Sequence, residues 1–166
     1  ELARAADRMH AIAIENDMPL SRAITATLMA RQPELAVKRA RQHLALQPDG
    51  ALVNYQAHRA YIWTDRIEAA RGVLAKIAAS DFPEEVKLLS EIRQACAEGK
   101  SATAAEVAEK VYASGSLGAR WQAAQIMGDQ RKARALLQPL DTAEGMPTLM
   151  QFMFQPTFDA NAYPNL

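Results

Sequence analysis

Alanines recur at a fixed interval along the chain. Ala36, Ala70 and Ala104 are each separated by 34 residues, and Ala133 follows after 29. Each stands about one turn into the second helix of a helical hairpin that the apolar spacing predicts. A small side chain is needed there because the two helices of one hairpin approach most closely at that point. The interval therefore predicts a repeated helical hairpin.

Apolar residues follow a helical period along the chain, and no strand-type alternation extends beyond a few residues. Its 7 glycines and 8 prolines stand mostly between the apolar-periodic segments, which is typical of helices joined by short turns. We therefore expect an all-α fold. The predicted helices cover residues 2–16, 19–31, 33–46, 51–63, 66–79, 84–97, 102–113, 117–127, 130–137 and 147–154.

The residue balance excludes several classes of partner. The 166 residues include 19 basic and 19 acidic side chains, for a formal net charge of +0. Such a chain supplies no field to hold a phosphate backbone, so we expect no nucleic acid and no anionic membrane surface as partner. The longest apolar stretches, such as 11–14 and 60–63, are far shorter than the roughly 20 residues that cross a bilayer. No membrane span is predicted, and the compartment is left open between cytoplasm and periplasm.

The hairpin turns carry a second recurring feature. Asp65, Gly99 and Gly128 each stand five residues before a recurring alanine and are compatible with a tight turn, whereas Arg31 is the exception. With this interval the chain resembles the tetratricopeptide repeat (TPR) family, whose 34-residue unit pairs an aromatic-rich first helix with a small residue early in the second.

The unit 51–84 carries the resemblance most fully. Tyr61 stands at the tyrosine position of the family, Ala70 at its small alanine and Leu74 at its bulky packing position, while Pro48 closes the preceding unit. The unit also departs from the family pattern. The family's Trp, Leu and Gly are replaced, in that order, by three other residues: Asn54, Ala57 and His58.

The resemblance implies a right-handed α-solenoid that forms one TPR-like domain over residues 1–166. Its divisions are a partial unit 1–16, repeats 17–50, 51–84, 85–116 and 117–140, and a capping helix with tail over 141–166. The chain begins without Met, and we expect it to be cut from a longer protein. The tail 158–166 is similar to the end of TPR regions in bacterial signalling proteins, where such arrays follow a winged-helix or nucleotide-cyclase module.

Catalytic signatures are incomplete. Residues 99–101 match the end of a phosphate-binding loop, but its leading glycine is replaced by Gln94, so a helix-capping turn is expected. Residues 114–118 approach a nucleophile elbow, but Ser114 replaces the first glycine, so a flexible link is expected. We therefore predict a protein that is not an enzyme.

Metal and cofactor sites are not predicted either. His10, His43 and His58 lie on separate predicted helices and have no partner at ligand spacing. The single cysteine, Cys96, excludes an internal disulfide and is expected to be a small buried apolar residue.

The predicted helix 33–46 contains a basic stretch with Lys38, Arg39, Arg41 and His43. Glu34 stands four residues before Lys38, which predicts an ion pair between them on the helix surface. The alternation of charge indicates a solvated outer face.

The resemblance further implies a concave groove lined by the first helix of each hairpin. The family's groove positions carried over to this chain are Ser21, Thr25, Met29, Tyr55, Arg59, Ile62, Trp63, Val86, Leu89, Arg93, Cys96, Gln122 and Ile126. Arg59 and Arg93 are 34 residues apart and are expected to stack on one wall. Near Tyr55 and Trp63, they could hold a carboxylate and an apolar or aromatic side chain. The alternative is that both aromatic residues pack between hairpins while the arginines pair with Glu91 or another nearby acid.

Three functions remain. The first is a non-enzymatic interaction scaffold that binds a protein or peptide segment through Arg59, Arg93, Tyr55 and Trp63. The second is a homo-oligomerisation module in which the Met- and Phe-rich region 146–158 or an open array end joins two copies. The third is a sensory domain that holds a small acidic metabolite and regulates an attached effector. The family's carboxylate clamp is not matched, because Ser21 and Tyr55 stand at clamp-type positions.

Overall fold

The computed structural model describes residues 17–152 together with Arg4, Arg8 and Tyr163. The described residues are all-α and include no strand. Their helices are α1 Asp17–Met29, α2 Pro33–Leu46, α3 Ala51–Trp63, α4 Ile67–Ala79, α5 Glu84–Ala97, α6 Ser101–Ser114, α7 Leu117–Ile126, α8 Gln130–Leu137 and α9 Met146–Leu149. Single 3₁₀ turns follow α8 at Gln138–Leu140 and α9 at Met150–Phe152. The chain divides into two compact units, Glu1–Ser90 and Glu91–Leu166.

The helix bounds follow the turn signals of the sequence. For α2, α3, α5 and α8, the bounds are those that the sequence predicts. Helices α4 and α7 differ from their predictions by one residue at one end, α6 by one residue at both ends and α1 by two residues at both ends. The last predicted helix, 147–154, is α9 with its 3₁₀ turn as far as residue 152, and its remainder lies outside the described residues. The predicted helix 2–16 also lies outside them, except for Arg4 and Arg8, which are helical.

One backbone turn recurs in four hairpins. Its central residue has a left-handed conformation at Arg31 (φ 54°), Asp65 (φ 57°), Gly99 (φ 70°) and Gly128 (φ 74°). In each turn, that residue's N–H donates to the carbonyl three residues earlier, and the next N–H donates to the carbonyl five residues before it, at 2.9 to 3.2 Å. These are the two bonds of a Schellman helix end. Arg31, which the sequence analysis set apart, therefore has the same geometry as the other three.

The recurring alanines follow these turns at the same point in each hairpin. Ala36, Ala70, Ala104 and Ala133 are at most 1% exposed. Each alanine N–H donates to the carbonyl four residues earlier and so belongs to the first turn of the second helix. A larger side chain at these positions would collide with its neighbours, because protein interiors are close-packed.

In the first unit, α1 packs on α2, α2 on α3 and α3 on α4, and α1 also packs on α3. The core comprises Leu20, Ile24, Leu28, Ala36, Val37, Ala40, Val53, Ala57, Ala60, Tyr61, Ala70 and Val73. An ion pair on the surface joins the two hairpins: Arg66 donates from Nη1 and Nη2 to the two oxygens of Glu34, at 3.1 and 2.8 Å. The hydrogen bond from Arg66 lowers the pKa of Glu34. Glu34 therefore pairs with the next hairpin, whereas the sequence predicts Lys38 as its partner.

The basic stretch of α2 is not wholly on the surface, and that prediction is wrong for two residues. Arg39 is 3% exposed and His43 is fully buried, while Lys38 and Arg41 are exposed. The Arg39 guanidinium donates to the hydroxyl of Thr27 on α1, and that hydroxyl donates to the carbonyl of Ala23 at 2.7 Å. A buried charge is tolerated where such hydrogen bonds replace water.

In the second unit, α7 packs on α6 and on α8. Two side chains cap these helices: the Ser116 hydroxyl accepts from the Ala119 N–H at 3.2 Å, and Asp129 Oδ1 accepts from the Lys132 N–H at 2.9 Å. Such caps satisfy amide groups that the first turn of a helix leaves unpaired. The core of this unit comprises Trp121, Ala124, Ala133, Leu137, Leu149, Phe152 and Tyr163.

Candidate functional site

Three predicted site residues follow one another at four-residue intervals on α3. Tyr55, Arg59 and Trp63 therefore lie along one side of the helix. The Arg59 guanidinium carbon lies 6.0 Å from the centre of the Tyr55 ring, at the outer limit of a cation–π contact. Nη1 of Arg59 also donates to Oε1 of Gln56 at 3.1 Å. We call these three residues the α3 face.

Trp63 is the most exposed member of the α3 face. It is the last residue of α3, and 45% of its surface is accessible. Full burial of a tryptophan side chain contributes on the order of 3 kcal/mol to the free energy of unfolding. In this structure, nearly half of the Trp63 surface remains accessible to solvent. Packing against its own unit therefore leaves Trp63 partly exposed.

Phe82 supports the Tyr55 ring and was missed by the sequence analysis. It lies between α4 and α5, and its ring meets that of Tyr55 edge to face, with centres 5.9 Å apart and planes at 72°. The Ser80 hydroxyl accepts from the Phe82 N–H at 3.4 Å and donates to the Ile77 carbonyl at 2.7 Å. A loop residue has no periodic pattern, so only the presence of an aromatic side chain in a polar loop could have indicated this contact.

The other predicted residues of the first unit contribute to packing. The Thr25 hydroxyl donates to the Ser21 carbonyl at 3.1 Å, within α1. Ile62 packs against the core, and Leu89 is 2% exposed. Met29 and Val86 are half-buried.

In the second unit, the structure brings two predicted residues together. Nη2 of Arg93, on α5, donates to Oε1 of Gln122, on α7, at 3.0 Å, and Arg93 is only 9% exposed. A guanidinium with so little exposure offers a restricted surface to a ligand. The stacking of Arg93 with Arg59 stays a prediction.

Cys96 and Met127 form a sulfur contact in the same unit. The two sulfur atoms are 3.8 Å apart. Cys96 is half-buried, less than the sequence analysis expects, and this partial burial raises the pKa of its thiol because it disfavours the thiolate. The site is therefore suited to packing and poorly suited to nucleophilic chemistry.

Within the part of the chain that the structure describes, no group of three or more His, Cys, Asp or Glu side chains is arranged to hold a metal ion. The α3 face consists of a cation and two aromatic rings, which can bind a partner but supply neither a nucleophile nor a general base in hydrogen-bonded array. No described helix is both long enough and apolar enough to cross a membrane. Comparison with protein-family models, with curated proteins and with solved structures finds no match.

Proposed function

We propose that the chain is a TPR-like α-solenoid and acts as a non-enzymatic interaction module. Two observations support the solenoid. The same Schellman turn recurs after 34, 34 and 29 residues. In the first unit, the first helices of successive hairpins, α1 and α3, pack on each other in addition to their sequence neighbours, as stacked repeats require.

The α3 face is the proposed binding surface for a protein or peptide segment. The observation that carries this proposal is the 45% exposure of Trp63, beside Arg59 and the Phe82-supported Tyr55. Trp, Tyr and Arg are the residue types enriched at binding hot spots, because each combines a large apolar area with a polar end. The expected ligand segment carries an apolar or aromatic side chain for Trp63 and a carboxylate for Arg59.

The test starts from peptides selected against this chain from a random library. Affinity of the best peptide is then measured by fluorescence anisotropy for the wild type, for Arg59→Ala/Trp63→Ala, and for the control Arg22→Ala/Leu46→Ala. The control removes one arginine and one exposed large apolar side chain from outside the α3 face, since Arg22 is exposed and Leu46 is 42% exposed. Circular dichroism checks that each variant is folded.

We expect the α3 variant to lose at least about tenfold in affinity, which corresponds to about 1.4 kcal/mol, and the control to lose none. Wild-type affinity in the α3 variant, or an equal loss in both variants, contradicts the assignment of the α3 face. If no peptide is selected by the folded chain, peptide binding itself is contradicted.

A further inference from the structure

A groove runs along the solvent side of α8, and its lining includes no residue of the α3 face. It is open to solvent, has a volume of about 620 Å³ and is lined by Gln130, Arg131, Arg134, Ala135, Gln138 and Pro139. The first four of these residues share one side of α8, and the last two follow in the 3₁₀ turn after it. The opposite side of the helix carries the buried Ala133 and Leu137.

The charged side chains of α8 are all cationic. Residues 130–140 include three cations and no acid. The Lys132 ammonium lies 3.3 Å from the centre of the Tyr112 ring, and the Asp129 carboxylate caps the helix at the Lys132 N–H. Arg131 and Arg134 are exposed, and the ion pairs of the described residues do not include either of them. Arg131 and Arg134 thus both line the groove, whereas Lys132, the cation between them in sequence, contacts the Tyr112 ring.

We propose that the α8 groove binds an acidic peptide segment in which two carboxylates are separated by one residue. Side chains one helical turn apart have Cβ atoms about 5–6 Å apart. Alternate residues of an extended peptide lie on the same side of its backbone and are separated by about 6.6 Å. A Glu-X-Glu sequence therefore presents one carboxylate to Arg131 and the next to Arg134.

The remaining lining residues suit the peptide backbone and its apolar atoms. Gln130 and Gln138 lie toward opposite ends of the groove and supply amide groups that can donate to or accept from main-chain groups. Ala135 and Pro139 add apolar surface to the lining. A guanidinium binds a carboxylate through two parallel N–H donors, which favours carboxylates over a neutral polar side chain.

The probes are fluorescein-labelled peptides of equal length that differ in one feature. The first contains Glu-Val-Glu, the second Gln-Val-Gln, and the third Val-Glu-Glu, whose adjacent carboxylates point to opposite sides of an extended chain. Anisotropy titrations use the wild-type chain, Arg131→Gln/Arg134→Gln, and a control that removes two exposed cations of the first unit, Arg22→Gln/Lys38→Gln. The variant Arg59→Ala/Trp63→Ala separates this groove from the α3 face.

We expect the Glu-Val-Glu peptide to bind the wild type at least about tenfold more tightly than either other peptide, with affinity falling as salt is added. The variant Arg131→Gln/Arg134→Gln is expected to bind the Glu-Val-Glu peptide at least about tenfold more weakly than the wild type does. The control and the α3 variant are expected to bind it as the wild type does. The proposal is overturned if the acidic peptide does not bind, if all peptides bind alike, or if the α8 variant binds like the wild type. It is also overturned if duplex DNA or phosphatidylserine vesicles displace the peptide as readily as unlabelled Glu-Val-Glu peptide does, because the groove would then bind polyanions in general.

Discussion

Asp17 and Gly50 depend on each other at the start of α3. The Asp17 carboxylate accepts from the backbone N–H groups of Leu52 and Val53, both at 2.8 Å. A Cβ atom added at Gly50 would lie 2.6 Å from Oδ1 of Asp17. Glycine thus leaves the space through which the first residue of α1 caps α3, the first helix of the next hairpin.

Loss of this cap is expected to destabilise the first unit. Asp17→Ala removes the acceptor for two helix N–H groups and is expected to lower the free energy of unfolding by about 1–2 kcal/mol. Gly50→Ala is expected to displace the same carboxylate. The double variant is then expected to lose less than the sum of the two, because both substitutions disrupt one contact. Urea unfolding measures all three, and additive losses would contradict the coupling.

The four Schellman turns predict that introducing a glycine at the left-handed position stabilises the chain and that removing one destabilises it. Side chains disfavour the left-handed conformation by about 1 kcal/mol, so Arg31→Gly is expected to stabilise the chain by up to that amount. Gly99→Ala is expected to destabilise it similarly. An added Cβ at Gly99 meets no atom within 4 Å, so the effect there is conformational.

Gly72 provides the matched control for these turn variants. It lies inside α4, where an added Cβ also meets nothing within 4 Å. Gly72→Ala is therefore expected to stabilise the helix by about 0.5–1 kcal/mol. Thermal unfolding followed by circular dichroism compares the three variants. If Gly99→Ala raised the melting temperature as Gly72→Ala does, the left-handed turn would not be maintained in solution.

Local sequence signals explain which parts of the fold could be predicted. Pro33, at the start of α2, and Gly50, before α3, mark helix ends through their own backbone preferences, so the bounds of these helices were predictable. Arg31 has no preference for a left-handed turn. Its conformation is therefore set by the hairpin that it closes, and only the 34-residue interval indicated it.

Contacts between distant residues were less accessible to sequence reasoning. The spacing of Tyr55 and Arg59 predicts that they lie on one side of α3, and the structure places them together. Arg39 is buried and donates to the Thr27 hydroxyl on another helix. Its charge alone predicts a surface position, and its sequence neighbours do not indicate this distant partner. Phe82 reaches Tyr55 from a loop, where no period constrains its direction.

The buried pair of Arg39 and Thr27 is suited to a double-mutant cycle. Thr27→Val removes the hydroxyl that accepts from the guanidinium and is expected to lower the free energy of unfolding by about 1–3 kcal/mol, because a buried donor loses its acceptor. Thr27→Val/Arg39→Met replaces both groups by apolar ones and is expected to be more stable than Thr27→Val alone. Chemical denaturation tests this order, and a double variant less stable than Thr27→Val would contradict it.

The Cys96 thiol is expected to react slowly with alkylating agents in the folded protein. Burial raises its pKa, so less thiolate is present at a given pH than in the unfolded chain. The rate of iodoacetamide labelling is expected to increase with pH. The pH at which the rate is half of its maximum is expected to be higher in the folded protein than in the protein unfolded by urea. Because the unfolded chain releases this proton first, stability falls as the pH rises above the pKa of the unfolded thiol. An equal labelling midpoint in both states would contradict the burial of this thiol.

The segment that follows α8 is expected to contribute to stability through Phe152 and not through Met150. The Phe152 ring meets that of Trp121 edge to face, with centres 5.2 Å apart and planes at 73°, whereas Met150 is 49% exposed. Phe152→Ala is therefore expected to lower the free energy of unfolding of the second unit by about 3 kcal/mol. Met150→Ala is expected to change it by less than about 0.5 kcal/mol.

Tryptophan fluorescence can follow this unit by itself in a Trp63→Phe background, because Trp121 is then the one remaining tryptophan of the chain. Urea unfolding of Phe152→Ala and Met150→Ala in that background compares two large apolar residues two positions apart. A difference of about 2.5 kcal/mol between them is expected if the 3₁₀ turn after α9 holds Phe152 against α7. Equal losses would mean that the segment packs through its general apolar character, without the Trp121 contact.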